Sequence, residues 1–385
     1  MWIYVRTWGT SAAGPRQANR GRDGVSKRRI LLALPDLRGG GAQQVVLRLL
    51  AGLPRERFEI HLVVARADGE LRHAVPADVP TRDLRAASVR RAAPGLVQAV
   101  RALRPEVVFS TIHHLNHLLL ALRPVLPAGT RLVVRETVPV SEALRSGAQP
   151  GRSAWLHRAL YPGADRIVVP CEAVGSDLVT GFGIPRAQVV RIFNPVDPSL
   201  LRAAAAAAPD PLARAGPGPH LVAVGRLVAQ KGFDRLISAL PALLELRPSA
   251  RLWILGSEAP PPARDAQQLR ALCSQLGIAD RVHFPGYRRD IAAWLARADL
   301  FVQASRYEGL PNALLDALAL GCPVVALDAP GGTRELLERA GQLERLVANL
   351  DWRAEWFARP EKAADLSAFA PARVVADYEA LFASA

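Results

Sequence analysis

Several absences narrow the chemistry of this chain before any motif is read. Only three of its 385 residues are cysteine, and Cys171, Cys273 and Cys322 are scattered without metal or redox spacing. An odd, dispersed set excludes a disulfide framework and reads as buried thiols in a reducing compartment. No uninterrupted apolar run approaches the ~18–20 residues that cross a bilayer as a helix. The apolar stretch near the start, Trp2-Ile-Tyr-Val5, is too short for the core of a secretion signal. The expected location is therefore cytoplasmic. A G-x-S-x-G elbow, a G-x-x-x-x-G-K-[ST] loop and a catalytic-cysteine signature are all missing, which leaves serine hydrolase, P-loop NTPase and thiol enzyme unsupported. Aromatic residues make up 6% of the chain and are not interleaved with basic ones, so no nucleic-acid partner is expected.

Lysine is scarce too: 3 against 46 arginines. A GC-rich coding sequence accounts for arginine over lysine, but not for where the charge lies. Residues 1–197 hold 28 basic against 15 acidic residues, and residues 198–385 hold 21 against 20, so nearly all of the net +14 sits in the first half. Such asymmetry points to an anionic partner, here peripheral contact with an anionic membrane surface at its inner face.

At this length two domains are the default. Residues 1–28 are rich in Gly, Arg and Ser without periodicity and read as a disordered extension. A strand at 29–34, the glycine-rich turn Pro35-Asp-Leu-Arg-Gly-Gly-Gly41 and a helical pattern at 42–53 open a nucleotide-binding type of α/β unit. The turn is not the G-x-G-x-x-G fingerprint, so nothing implies NAD. Strand-like runs at 58–65, 107–112, 131–135 and 166–170 alternate with helical patterns at 95–103, 117–126, 153–160 and 174–181. This alternation predicts a parallel sheet covered on both faces. The alanine run 203–208 and the flanking Pro/Gly clusters make 198–219 an expected linker between domains 29–197 and 220–364. Strands at 220–224, 251–255, 282–284 and 300–303, with helices between, give the second domain the same architecture. Residues 365–385 read as a closing helix that packs back on the first domain.

The most informative stretch is Glu308-Gly-Leu-Pro-Asn-Ala-Leu-Leu-Asp316, followed by Gly321 and the strand-like Pro323-Val-Val-Ala-Leu327. Pro311 suits the first turn of a helix, and the free N–H groups there suit an anion such as phosphate. Arg226 and Lys231 sit five apart in Gly225-Arg-Leu-Val-Ala-Gln-Lys-Gly232, at the C-terminal end of a strand where open α/β sheets bind ligands. Two cations in one short loop suit a diphosphate. One of only three lysines being kept there strengthens the reading; a solvated loop lysine is the plain alternative. Glu308 and Asp316 on one helix would lie ~12 Å apart, beyond the ~5–9.5 Å of a glycoside hydrolase pair. His113, His114, Asn116 and His117 cluster after a strand end, as does Glu136, without metal spacing; they read either as ligand-side groups or as surface and core residues.

Taken together, these motifs resemble the retaining glycosyltransferases of family four, group 1 glycosyltransferases with the GT-B fold. The resemblance covers roughly 29–335 and rests most on Gly225 to Gly232 and on Glu308-Gly-Leu-Pro-Asn312, with Gly39-Gly-Gly-Ala-Gln-Gln-Val45 and Phe193-Asn-Pro-Val-Asp197 in support. It implies an α/β fold of two doubly wound Rossmann-like domains facing across a cleft. It implies a nucleoside-diphosphate sugar donor, UDP-linked, whose diphosphate is bound by the catalytic Arg226 and Lys231 and whose sugar hydroxyls are bound by Glu308. Gly225, Gly256, Gly309, Leu310, Pro311 and Asn312 would lie along the donor, Asp316 on the ribose, and Tyr287 and Arg288 beside the base. Gly39, Gly40 and Gly41 would close on the donor from the other domain, with His113, His114, Asn116 and Glu136 on the acceptor side. No metal and no cofactor is implied.

The chain departs from the family at three places: Asp316 stands for the usual glutamate, Glu136 for a common histidine, and residues 336–346 for an Asn-Gly-rich strand-loop. The expected activity is hexosyl transfer with retention onto a lipid-linked or polysaccharide acceptor in cell-surface glycan assembly, such as lipopolysaccharide. The alternatives are a sugar-nucleotide epimerase and a catalytically impaired nucleotide-sugar-binding protein.

Overall fold

The computed structural model describes residues 27–38, 40–258, 264–360 and 362–384. The described residues form two compact units, one of residues 27–195 and 371–384, the other of 196–370. Most of the expected extension lies outside the described residues; Arg28 already begins the first strand.

The first unit carries β1 (Arg28–Leu34), β2 (Phe58–Val64), β3 (Thr81–Asp83), β4 (Val107–Thr111), β5 (Arg131–Arg135), β6 (Arg166–Val169) and β7 (Val189–Arg191). They form a seven-stranded sheet in the order β3-β2-β1-β4-β5-β6-β7, with every pairing parallel. Central strands such as Val107–Thr111 are buried along their whole length, as expected for a parallel sheet with helices on both faces. The helix Pro371–Ala383 belongs to this unit. Its Tyr378 and Phe382 meet Phe109 edge-on, with ring centres 5.7 and 5.8 Å apart, and Glu379 pairs with Arg57 at 2.7 Å.

The second unit carries β8 (His220–Val224), β9 (Arg251–Leu255), β10 (Val282–Gly286), β11 (Leu300–Gln303), β12 (Val324–Leu327) and β13 (Leu346–Val347), in the order β10-β9-β8-β11-β12-β13. Again every pairing is parallel. In both sheets the strand order reverses once, between β1 and β4 and between β8 and β11. Ligands bind such sheets at the reversal, where the two loops leaving the strand ends splay apart.

Several elements differ from the sequence reading. The stretch expected as linker begins with a helix, Pro198–Ala207. Asp197 caps it by accepting from the Ser199 and Leu200 amides at 2.9 and 3.2 Å, with Pro198 in the first turn. Leu201 and Ala205, one turn apart, bury its inner side, which a run of alanines conceals. The helix expected at 117–126 spans His113–Ala121, four residues earlier, and Pro124 falls in a separate short turn. Strands β3, β7 and β13 carried no signal: all three are edge strands of two or three residues, and β3 is exposed throughout. The segment after Glu335 completes the helix Thr333–Arg339 and then supplies β13. Among the described residues no helix is long and apolar enough to cross a membrane.

Candidate active site

In the second unit the two loops at the strand-order reversal are tied to each other. The loop after β8 ends in a short turn, Ala229–Lys231. The loop after β11 runs from Ala304 to Pro311. The Arg306 amide donates to the Gln230 carbonyl (2.8 Å), and Gln230 Nε2 donates to the Tyr307 carbonyl (3.1 Å). The Arg306 guanidinium grips both Asp234 oxygens at 2.7 and 2.6 Å and the Ala229 carbonyl at 2.8 Å. This bracing fixes one contact: Lys231 Nζ lies 2.6 Å from Glu308 Oε1. Ser305 Oγ donates to that same oxygen, also at 2.6 Å. Glu308 is buried and Lys231 only partly exposed, so the ammonium–carboxylate attraction is screened less than it would be on an open surface.

Backbone geometry explains why these residues can approach. A Cβ at Gly225 would sit 2.9 Å from the Lys231 side chain, which lies across that glycine. The Glu308 amide donates to the Pro330 carbonyl at 3.0 Å, and Gly332 N–H to the Gly309 carbonyl at 2.7 Å. At Gly331, φ is +119° and a Cβ would fall 1.7 Å from the Glu308 carbonyl oxygen, so only glycine allows the β12 loop to lie against Glu308.

Just beyond, the helix Asn312–Ala319 starts with Pro311 at its cap position, one residue before the place expected from sequence, with no side-chain cap and no acid in its first turn. First-turn N–H groups of a helix lack intrahelical acceptors and carry partial positive charge. Lys231, Ser305, Glu308, Pro311 and Asn312 line one pocket with Val224 and Phe233. The pocket thus offers an ammonium, a fixed carboxylate and a helix start within one concavity. That set can take a ligand carrying both phosphate and hydroxyl groups.

The remaining expected residues of this unit lie around that centre in different ways. The Arg226 side chain is exposed, has no partner among the described residues and does not line the pocket. Gly225 and Gly256 directly follow β8 and β9, and Gly256 N–H donates to the Gly286 carbonyl at 2.9 Å. Asp316 is half-buried, one helical turn after Asn312 on the same side. Gly309 and Leu310 are buried in the loop beside Glu308. Tyr287 is half-buried. Arg288 is engaged within its own loop, holding Asp290 with two bonds (2.9 and 2.8 Å) and lying 5.9 Å over the Trp294 ring. Ser305 was not singled out from sequence; its position three residues before Glu308, two residues past the end of a buried strand, was the available signal.

The first unit holds a second polar cluster at its own reversal. Gly40 caps and Gly41 begins the helix Gly41–Gly52 after β1; Gly39 lies outside the described residues. After β4, Ile112 takes φ +74°, a conformation β-branched residues avoid, and the helix His113–Ala121 starts at once. His114 is exposed and His113 half-buried, whereas Asn116 and Glu136, expected to face a ligand, are buried.

Asn116 accepts from Ser110 Oγ (2.7 Å) and donates to the Arg135 carbonyl (2.9 Å) and to Tyr161 Oη (3.2 Å). Glu136 accepts from Tyr161 Oη at 2.6 Å and from the Thr137 amide at 3.0 Å, and faces His157 Nε2 at 3.3 Å. The other ring nitrogen of His157 lies 2.7 Å from the Ser153 carbonyl and 3.2 Å from His117 Nε2. Burial alone would push the Glu136 carboxyl up, but the hydrogen bonds and charge of His157, with Tyr161, hold it at about 2. Burial pushes His117 down to about 3, with the His157 charge acting the same way. His157 and Tyr161, missed in the sequence, carry this network. They lie more than twenty residues from Glu136, and nothing local marks them.

Comparison with known proteins gives two matching family descriptions. Glycosyltransferase Family 4 matches residues 39–200, and Glycosyl transferases group 1 matches residues 218–361. The lipopolysaccharide core biosynthesis glycosyltransferase LpsE of Rhizobium meliloti is 36% identical over 29% of this chain, a stretch spanning 31% of LpsE. The N-acetylgalactosamine-N,N'-diacetylbacillosaminyl-diphospho-undecaprenol 4-alpha-N-acetylgalactosaminyltransferase of Campylobacter jejuni is 27% identical over 78% of this chain and 80% of its own length. The crystal structure of Anabaena Alr3699/HepE with UDP and glucose superposes with a TM-score of 0.76 at 18% identity, over 93% of this chain and all of that one.

Proposed function

Because the chain belongs to the group 1 glycosyltransferases and has their GT-B fold, we propose that it moves a hexose from a UDP-linked sugar, with retention of anomeric configuration, onto a lipid-linked or polysaccharide acceptor of a surface glycan. The observation that carries this reading is the shared grip of Lys231 and Ser305 on one Glu308 oxygen, beside an uncapped helix start. In such a transfer the bond from the anomeric carbon to the diphosphate breaks and leaves its electron pair on the phosphate oxygen. Lys231, the helix start and the outward Arg226 would stabilise that developing charge. With Oε1 occupied by two donors, the other Glu308 oxygen is the one left to accept from sugar hydroxyls. Asn312 and Asp316 extend the site along the donor. The solved neighbour holding UDP and glucose supports the donor class, and the Campylobacter relative named for a diphospho-undecaprenol acceptor supports a lipid-linked acceptor.

A panel of nucleoside-diphosphate sugars tests this reading. Thermal stabilisation by one UDP-sugar is expected, followed by a product of the donor's own anomeric configuration in the NMR spectrum. Stabilisation by none of them, or an inverted product, would contradict it. The β12 loop gives a second test. Gly331→Ala should displace Glu308 and lower kcat/KM about a hundredfold, the order of loss that an ångström of misplacement produces, and UDP release measures it.

A further inference from the structure

The helix Arg152–Leu160 presents its faces in an unusual sense. His157 and Ser153 are buried on the inner side, where His157 meets Glu136 and His117. Trp155 is turned out and 67% exposed, the most exposed large hydrophobic side chain among the described residues. Arg152 and Arg158, three residues to either side, are also exposed and share that outer face. Arg152 has no partner among the described residues. Arg158 donates to the Gly181 carbonyl at 3.1 Å and lies 5.4 Å over Phe182, which holds it at the edge of the same surface. The loop leading in exposes Arg145, Ser146, Gly147, Ala148, Pro150 and Gly151. Arg145 is paired with Glu142 at 2.5 Å, which leaves Arg152 and Arg158 as the arginines of this stretch without a carboxylate partner among the described residues.

An indole standing in solvent, with unopposed guanidinium groups beside it, has the chemistry of a membrane-interface anchor. The ring sits at headgroup depth while arginine engages lipid phosphate. We propose that this face, centred on Trp155 and Arg152, docks the protein on a membrane surface that contains anionic phospholipid. The buried His157 fixes the helix from within, so the anchor is presented rigidly. The excess of base over acid in residues 1–197 matches that surface in sign. The inference rests on the reading of a lipid-linked acceptor. It names the surface that would bring the enzyme to its substrate.

The test is co-sedimentation of the full chain with phosphatidylcholine vesicles, with and without phosphatidylglycerol, at low and high salt. The wild type should pellet with the anionic vesicles at low salt and be released as salt rises. Trp155→Ala should weaken binding about tenfold or more, and Arg152→Ser about fivefold, with Trp155→Phe keeping most of it. All three variants should melt as the wild type does and release UDP from a donor in detergent-free solution at the wild-type rate. Equal vesicle binding by wild type, Trp155→Ala and Arg152→Ser would overturn the proposal. So would no binding by the wild type at low salt, or a self-association that Trp155→Ala abolishes. Loss of UDP release in the wild type with vesicle binding intact would count against the transferase reading alone.

Discussion

Lys231→Ala is expected to lower kcat/KM for glycosyl transfer by about a thousandfold or more. Two losses combine in it. The departing diphosphate loses a point charge at the place where its own charge develops, a type of loss that costs roughly 10²–10³ in rate for a single donor. Glu308 also loses the ammonium that holds Oε1 at 2.6 Å, leaving Ser305 as its one remaining side-chain anchor. Lys231→Arg should restore little. The Lys231 stem crosses Gly225 with no room to spare, and a planar guanidinium cannot stand in for a compact ammonium there. Glu308→Gln should fall by a smaller factor than Lys231→Ala, because the amide oxygen still accepts from Lys231 and Ser305, while the NH2 that replaces the second oxygen can only donate to a sugar oxygen. Lys362→Ala is the matching control and should change nothing. Release of UDP from the preferred donor reads all four variants, and activity within tenfold of wild type in Lys231→Ala would remove this residue from the mechanism.

Glu136→Ala is expected to destabilise the first unit by about 1–3 kcal/mol for each buried hydrogen-bond partner it leaves unsatisfied. The carboxylate is 1% exposed and sits between Tyr161 and His157, so its loss strands a hydroxyl and an imidazole without water. The same network sets a pH dependence. Glu136 is held at about 2 against an ordinary 4.5, so its stabilising contribution is complete above pH 4.5 and disappears as pH falls through 2. His117 is held at about 3 against an ordinary 6.5. Below pH 6.5 its unfolded form takes up a proton that the folded form refuses until about 3, so stability declines as the solution is acidified. Urea midpoints measured from pH 8 to 4 should be level above 7 and fall below 6.5. His117→Phe should flatten that slope, and an unchanged slope would show that His117 does not set it.

How much of this was legible in the sequence depended on where each residue's partners lie. The central strands read directly, because a parallel strand buried on both faces shows as an apolar run, as residues 107–109 and 300–302 do. The edge strand Thr81–Asp83 carries no such run, since it is exposed along its length. Lys231 was legible through its rarity and Glu308 through its place before a Pro-initiated helix. Their contact was not, because 77 residues separate them and only the reversal between β8 and β11 brings them together. Glu136 shows the opposite limit. From sequence it was a polar residue at a strand end with a ligand-facing role, and the structure places it inside a network whose other members, Tyr161 and His157, give no local sign of it.

The helix at Pro198–Ala207 was hidden for a third reason. Its two buried positions, Leu201 and Ala205, do not stand out beside a run of alanines of which Ala203, Ala206 and Ala207 are exposed, so its packing on the helix Ile291–Arg297 shows only in the structure.

The central claim is that Lys231 and Glu308 form the donor's diphosphate and sugar site in the second unit. Calorimetric titration with UDP tests it most directly, since it needs neither the acceptor nor the identity of the sugar. One UDP should bind per chain. Lys231→Ala should weaken it at least about tenfold, the worth of a hydrogen bond to a charged group, and Lys362→Ala should leave it unchanged. An affinity for UDP that is the same in wild type and Lys231→Ala would contradict the account.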